Sequence, residues 1–135
     1  MITSIDKQKY PDYFPDNCPP ADCCVDERVL FRFCNDKEVS KDDFRSYYLM
    51  NPDKYRNNIL AYGLSILKSR EDCISLYRKC PYMRGHKSIA KGITNAMRGC
   101  WQETPSKRNP NHITWWVCVG IRPETFFEID YCFGD

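Results

Sequence analysis

Residues 113–119 read ITWWVCV, and this stretch decides the fold. In an extended chain Ile113 and Trp115 point to one face, while Thr114 and Trp116 point to the other. Both faces are therefore largely apolar. A strand of this kind needs cover on both sides, which predicts a place inside a sheet rather than at its edge.

Segments on either side of this strand have the composition of further strands and of short helices. The predicted strands lie at 29–34, in the second half of 60–67, at 87–94 and at 126–131. Helices are predicted over 41–50, over 53–58 and from Ser69 to Pro81, and a loop over 102–112. The sum predicts an α+β domain, with a mainly antiparallel sheet of four to five strands and two or three short helices.

The first 27 residues predict an extended lead-in, because four prolines between 11 and 20 prevent a regular helix. The remaining residues, 28–135, form the predicted single domain, which suits a chain of 135 residues. The N-terminus has no apolar signal-peptide core, and no window is long enough to span a bilayer. We therefore expect a cytoplasmic protein without a membrane partner.

Nine cysteines are unusually many for such a chain. In a protein without an export signal we expect reduced thiols that pack in the core. The chain lacks any C-x-x-C pair, the usual spacing of zinc ligands, so we expect neither metal nor cofactor. A zinc site with unusual spacing is the alternative, and its ligands would come from the densest group of cysteines: Cys18, Cys23, Cys24 and Cys34.

The net charge of +2 conceals an uneven distribution. Residues 1–53 hold 11 acidic and 7 basic side chains, a net charge of −4, whereas residues 54–135 have a net charge of +6. Within 78–108 the net charge reaches +7, which predicts contact with a phosphate-rich ligand such as nucleic acid, or with an acidic protein partner. An ordinary solvated face is the alternative. The expected binding residues are Arg84, Lys87, Lys91, Arg98, Lys107, Arg108, His112 and Trp116.

Three residues suggest a catalytic arrangement: Arg32 in an apolar strand, Ser65 in a middle strand and Glu128 in the last strand. This order resembles the ADP-ribosyltransferases of the Arg-Ser-Glu type. The resemblance implies that Arg32 holds the phosphates of a nicotinamide dinucleotide, Ser65 orients its nicotinamide side, and Glu128 stabilises the developing ribosyl cation. The alternative is a cross-strand ion pair between Arg32 and Glu128.

His112 is a further candidate, because it leaves a loop rich in Pro and Asn and directly precedes the central strand. An imidazole at that place suits a general base or a phosphate ligand. A structural role in closing the loop is the alternative.

A second resemblance covers nearly the whole chain. Its marks are YGLS at 62–65, IAKG at 89–92 and HITWW at 112–116, which are similar to a group of small uncharacterised bacterial proteins. Such proteins resemble the products of accessory genes that lie in mobile elements and antiviral defence islands. The leading hypothesis is therefore a non-enzymatic accessory protein that binds a partner through its basic face. The alternative, a nucleotide-acting enzyme, requires Arg32, Ser65 and Glu128 to converge.

Overall fold

The computed structural model describes residues 9–134, which form a six-stranded antiparallel sheet and three short α-helices. The strands are β1 (Arg28–Cys34), β2 (Leu64–Leu67), β3 (Ser88–Thr94), β4 (Gly99–Glu103), β5 (His112–Val117) and β6 (Glu128–Cys132). The helices are α1 (Tyr47–Met50), α2 (Pro52–Tyr55) and α3 (Arg70–Lys79). The strand order is β4-β5-β2-β1-β3-β6, so β5 has a neighbour on each side, as its apolar faces predict.

The α+β class is confirmed, but the sheet has six strands instead of four to five. The additional strand is β4, which starts at Gly99 and pairs with β5. A glycine followed by only two apolar residues, Cys100 and Trp101, and then by polar ones does not predict a strand. Here it is required, because a Cβ atom at Gly99 would lie 2.3 Å from the carbonyl oxygen of Trp116. Close approach of two backbones, rather than strand propensity, places β4.

The predicted helix over 41–50 is wrong as a single element. It is a 3₁₀ turn, Lys41–Phe44, followed by α1, and an extended Arg45 separates the two. The chain restarts because the Ser46 hydroxyl accepts a hydrogen bond from the Leu49 backbone N–H at 3.2 Å. The next predicted helix begins after Asn51 as expected, but α2 already ends at Tyr55.

The sheet has a separate core cluster on each face. Leu30, Ile66, Ile113 and Trp115 are fully buried on one face, where Phe127 closes over Gly92. Phe33, Leu67, Cys73 and Ile89 form the cluster beneath α3 on the other face.

The described part of the lead-in, residues 9–27, is packed onto the domain, and residues 1–8 lie outside the described residues. Tyr10 and Phe14 are buried in one cluster with Trp116, and the Cys24 backbone exchanges two hydrogen bonds of 2.8 Å with Trp101. Seven of the nine cysteines are buried, as packing residues would be. Cys18 and Cys23 belong to the Trp116 cluster while Cys34 belongs to another, so the proposed zinc ligands are separated. Between residues 9 and 134 no group of three or more His, Cys, Asp or Glu is placed to hold a metal ion.

Helices of the described part of the chain are short. The longest, α3, has 10 residues, and none is long and apolar enough to cross a bilayer.

Replacing Ser69 with alanine is expected to lower the free energy of unfolding by about 1 kcal/mol. The Ser69 hydroxyl accepts a hydrogen bond of 3.0 Å from the Asp72 backbone N–H, as the sequence predicts for a helix cap. Ser75→Ala is the matched control, because Ser75 lies exposed within the same helix. Urea unfolding compares the two variants, and an equal effect of both would contradict a capping role.

Candidate ligand-binding cleft

The sheet is nearly split between β1 and β2. These strands share a single register pair, Phe31 with Leu67, whereas β1 and β3 pair along seven residues. Where β1 and β2 separate, the Arg32 guanidinium donates the hydrogen bond that the backbone of a paired strand would otherwise donate. Its Nη1 donates to the Ser65 carbonyl oxygen at 2.8 Å, and its Nε donates to the Asp43 carbonyl oxygen at 2.6 Å.

Arg32 is half-buried, and among the described residues its guanidinium bonds to no carboxylate. Within the described residues no ion pair includes Arg32, and its two hydrogen bonds go to uncharged carbonyl groups. The nearby Asp43 carboxylate is occupied by the backbone N–H groups of Asn35 and Ser40, at 2.9 and 2.8 Å. Burial lowers the pKa of the Arg32 guanidinium. The Asp43 carboxylate attracts the guanidinium without bonding to it, so the remaining N–H donors of Arg32 suit an anionic ligand.

Two adjoining cavities, of about 300 and 280 Å³, open beside Arg32. Both are lined by Phe33, Tyr47, Ser65 and His86 as well, so they are two ends of one cleft, called here the Arg32 cleft. Small-molecule sites typically occupy roughly 300–1,000 Å³, and the two ends together fall within that range. One end is further lined by Tyr82, Ser106, Arg108, Asn109 and His112, and the other by Asp42, Asp43 and Arg45.

His112 lies at the start of β5, opposite Leu67 of β2, and lines the Arg32 cleft. Its Nδ1 is 2.8 Å from the Thr104 hydroxyl, which is itself 2.8 Å from the Thr114 hydroxyl. This chain of contacts orients the ring and leaves Nε2 for a ligand. Burial lowers the pKa of His112, so the ring is neutral near pH 7.

His86 is the second imidazole of the cleft, and the sequence did not indicate it. It follows the 3₁₀ turn Pro81–Gly85, and its ring centroid lies 5.3 Å from that of Phe33. Its Nδ1 is buried without a hydrogen-bond partner in the part of the chain that the structure describes. Burial also lowers the pKa of this ring. His86 and His112 are the chain's only histidines, and that scarcity was the one available signal.

The structure brings Arg32, Ser65 and His112 together but not Glu128. Glu128 is exposed on β6 and lines another cavity with Lys91 and Arg98. Since β3 lies between β1 and β6, Glu128 reaches neither Arg32 nor Ser65. The Arg-Ser-Glu arrangement is therefore not assembled. The alternative Arg32–Glu128 ion pair is absent from the described residues for the same reason.

The predicted binding residues do not share one face. Arg108 and His112 line the Arg32 cleft, whereas Lys91 and Arg98 line the Glu128 cavity. Arg84 donates to the carbonyl groups of Tyr77 and Arg78, at the end of α3. Lys87 and Lys107 are exposed.

Trp116 is wrong as a binding residue. Its side chain is fully buried, and its Nε1 donates to the Ile59 carbonyl oxygen at 3.1 Å. The same cluster holds Tyr10 and Phe14 of the lead-in. Trp116 therefore packs in the core, as large aromatic side chains usually do.

The stability of the protein is expected to fall as the pH drops below about 6.5, the ordinary pKa of histidine. Burial lowers the pKa of His86 and His112 in the folded state, so between the folded and unfolded pKa values the unfolded chain binds more protons. Urea unfolding at pH 7.5 and pH 5 measures the decrease. His86→Gln is expected to reduce it, and an unchanged pH dependence in that variant would contradict the burial of the ring.

No protein-family model, curated protein or solved structure matches this chain. We therefore infer a ligand site in the Arg32 cleft from its geometry alone. It offers the Arg32 guanidinium, two neutral imidazoles and the hydroxyl groups of Ser65, Tyr47 and Tyr82. This set suits a ligand that combines phosphate groups with sugar hydroxyls and an aromatic base.

Proposed function

We propose that this protein is a nucleotide-acting enzyme that binds a phosphate-bearing nucleotide in the Arg32 cleft. The observation that carries the proposal is the half-buried Arg32 guanidinium at the parting of β1 and β2, which bonds to two carbonyl groups and to no carboxylate among the described residues. A guanidinium held by two carbonyl groups is already oriented. Phosphate oxygens would satisfy its remaining N–H donors and its charge at once.

A nicotinamide dinucleotide is the expected substrate. Arg32 and Ser65 are the first two residues that the resemblance to ADP-ribosyltransferases requires, and both line the cleft. Arg32 lines both cavities, which suits a diphosphate with a nucleoside on each side. Tyr47 is shared by both ends and Tyr82 belongs to one, so each end has an aromatic side chain near it. The third residue of the arrangement, an acidic side chain at Glu128, is missing from the cleft.

Calorimetric titration with NAD, ADP-ribose, AMP and inorganic phosphate tests the binding step. We expect NAD and ADP-ribose to bind more tightly than AMP, because their diphosphate meets Arg32 with more oxygen atoms. Lys91→Gln is the control, since it removes an exposed positive charge outside the cleft. Failure of all four compounds to bind would overturn the proposal.

The second candidate is an accessory protein that binds nucleic acid or an acidic protein surface. Lys107 and Arg108 support it, because both are exposed in one loop and Arg108 lies at the mouth of the Arg32 cleft. Retention on single-stranded DNA should then weaken with salt, and Arg108→Gln should reduce the salt slope by about 1. Retention that is independent of salt would eliminate nucleic acid and leave an acidic protein as the partner.

A further inference from the structure

We propose that His112 is the general base of the Arg32 cleft, and that the acceptor in the reaction is a hydroxyl group, water being the simplest. This inference rests on the proposed function, the use of NAD. It assigns to His112 the place that an acidic residue would otherwise hold.

Three neighbouring strands each contribute one residue to the same cavity: Arg32 from β1, Ser65 from β2 and His112 from β5. Ser65 pairs with Thr114, and Leu67 pairs with His112, so Ser65 and His112 are diagonal neighbours on one face. Diagonal pairs on adjacent strands lie about 7–8 Å apart, which leaves room for a reacting sugar between them. An acid from β6 would have to cross two strands to reach the same place.

The surroundings of His112 suit proton removal. When its Nδ1–H donates to the Thr104 hydroxyl, that hydroxyl donates in turn to Thr114, and Nε2 of this cleft-lining ring keeps its lone pair. Besides His112, the charged and titratable groups of the cleft are Arg32, Arg45, Asp42, Asp43, Tyr47, Tyr82, His86 and Arg108. Arg32 and Arg108 share the His112 end with it, while both aspartates lie at the other end. A neutral base fits a site in which cations already surround the phosphates.

A neutral imidazole does not neutralise a ribosyl cation as a carboxylate would, so its contribution lies with the acceptor. The oxygen of the acceptor hydroxyl forms a bond to C1′ of the nicotinamide ribose. The bond from C1′ to the nicotinamide nitrogen breaks, and its electron pair leaves with neutral nicotinamide. The hydroxyl proton passes to Nε2 of His112, and from there to solvent. Atoms and charge balance without an oxidant or a metal.

Incubation with NAD, with and without 10 % methanol by volume (roughly 2.5 M), tests the inference by mass spectrometry. We expect release of nicotinamide with ADP-ribose as the product in water, and an additional methyl ADP-ribose in methanol. His112→Gln is expected to reduce the rate by about 10²- to 10⁴-fold, as removal of a general base does. Binding of ADP-ribose should change little, because Arg32 still holds the phosphates.

The pH profile separates a chemical role of His112 from a structural one. The wild-type rate should fall on the acid side as His112 becomes protonated, and this limb should vanish in His112→Gln. Thr104→Val removes the partner of Nδ1, and we expect a smaller loss of rate with the acid limb retained. Ser75→Ala, on the exposed side of α3, serves as the unchanged control.

The outcomes distinguish the two levels of the proposal. If neither NAD nor ADP-ribose binds, the proposed function fails. If both bind but nicotinamide is not released, or if His112→Gln releases it at the wild-type rate, the role of His112 is overturned. Should His112→Gln not fold, the wild-type profile decides, since a rate without an acid limb would also exclude His112 as the base.

Discussion

Replacing Arg32 with alanine is expected to weaken binding of ADP-ribose by about 10- to 150-fold, the equivalent of the 1.5–3 kcal/mol that a charge-assisted hydrogen bond contributes. The guanidinium is held by the carbonyl groups of Ser65 and Asp43, so its charge is in place before a ligand arrives. Arg32→Lys should keep part of the affinity, because an ammonium group retains the charge but does not reach both carbonyls and a diphosphate together.

The stability of the Arg32 variants provides the control. Arg32→Met leaves two carbonyl groups without their donor, which costs about 1–3 kcal/mol, but it also removes a half-buried cation that has no direct ion pair among the described residues. We therefore expect the free energy of unfolding to decrease by no more than about 1 kcal/mol. Titration calorimetry gives the affinity and urea unfolding the stability. A large loss of stability with unchanged affinity would show that Arg32 closes the sheet instead of binding a ligand.

Replacing Trp115 with alanine is expected to lower the free energy of unfolding by about 3–5 kcal/mol. The side chain is fully buried, lies 5.6 Å from the ring of Phe127, and its Nε1 donates to the Thr94 hydroxyl at 2.9 Å. The change removes this packing and leaves a buried hydroxyl without its donor. A loss of that size is a large part of the roughly 5–15 kcal/mol that stabilises a small domain.

Trp115→Phe and Val119→Ala are the comparison variants for this prediction. Trp115→Phe keeps most of the apolar surface but loses the hydrogen bond to Thr94, so its effect should be smaller than that of alanine. Val119 is 58 % exposed, and its substitution should change stability by less than about 0.5 kcal/mol. Urea unfolding measures all three. Similar effects of Trp115→Ala and Val119→Ala would contradict a closed core on this face of the sheet.

Side-chain periodicity and helix-cap residues predicted those elements whose own sequence contains all the residues that define them. The alternation through Trp115 and Trp116 predicted a strand with neighbours on both sides, and Ser69 with Asp72 predicted the start of α3. The same rules gave one helix where Ser46 divides the chain in two. They also missed β4, whose glycine is explained by the backbone that it faces. A strand that forms because of the strand it pairs with cannot be recognised from its own sequence.

The sequence indicated some residues of the Arg32 cleft but not all of them. Arg32 and Ser65 were singled out because a charged and a small polar residue interrupt apolar strands, and both line the cleft. His86 was missed, because an imidazole after a turn has no signal until a fold surrounds it. Glu128 was included on chain order, which does not reveal that β3 separates β6 from β1.

By itself the sequence determined the α+β class, the internal position of β5 and the types of residue available for chemistry, because side-chain periodicity and helix caps act within a few residues. Only the tertiary structure decided which of those residues meet. Strand order and the parting of β1 from β2 arise from contacts between distant segments. Those contacts place Arg32, half-buried, in one cavity with Ser65 and His112, and they place Glu128 and Trp116 elsewhere.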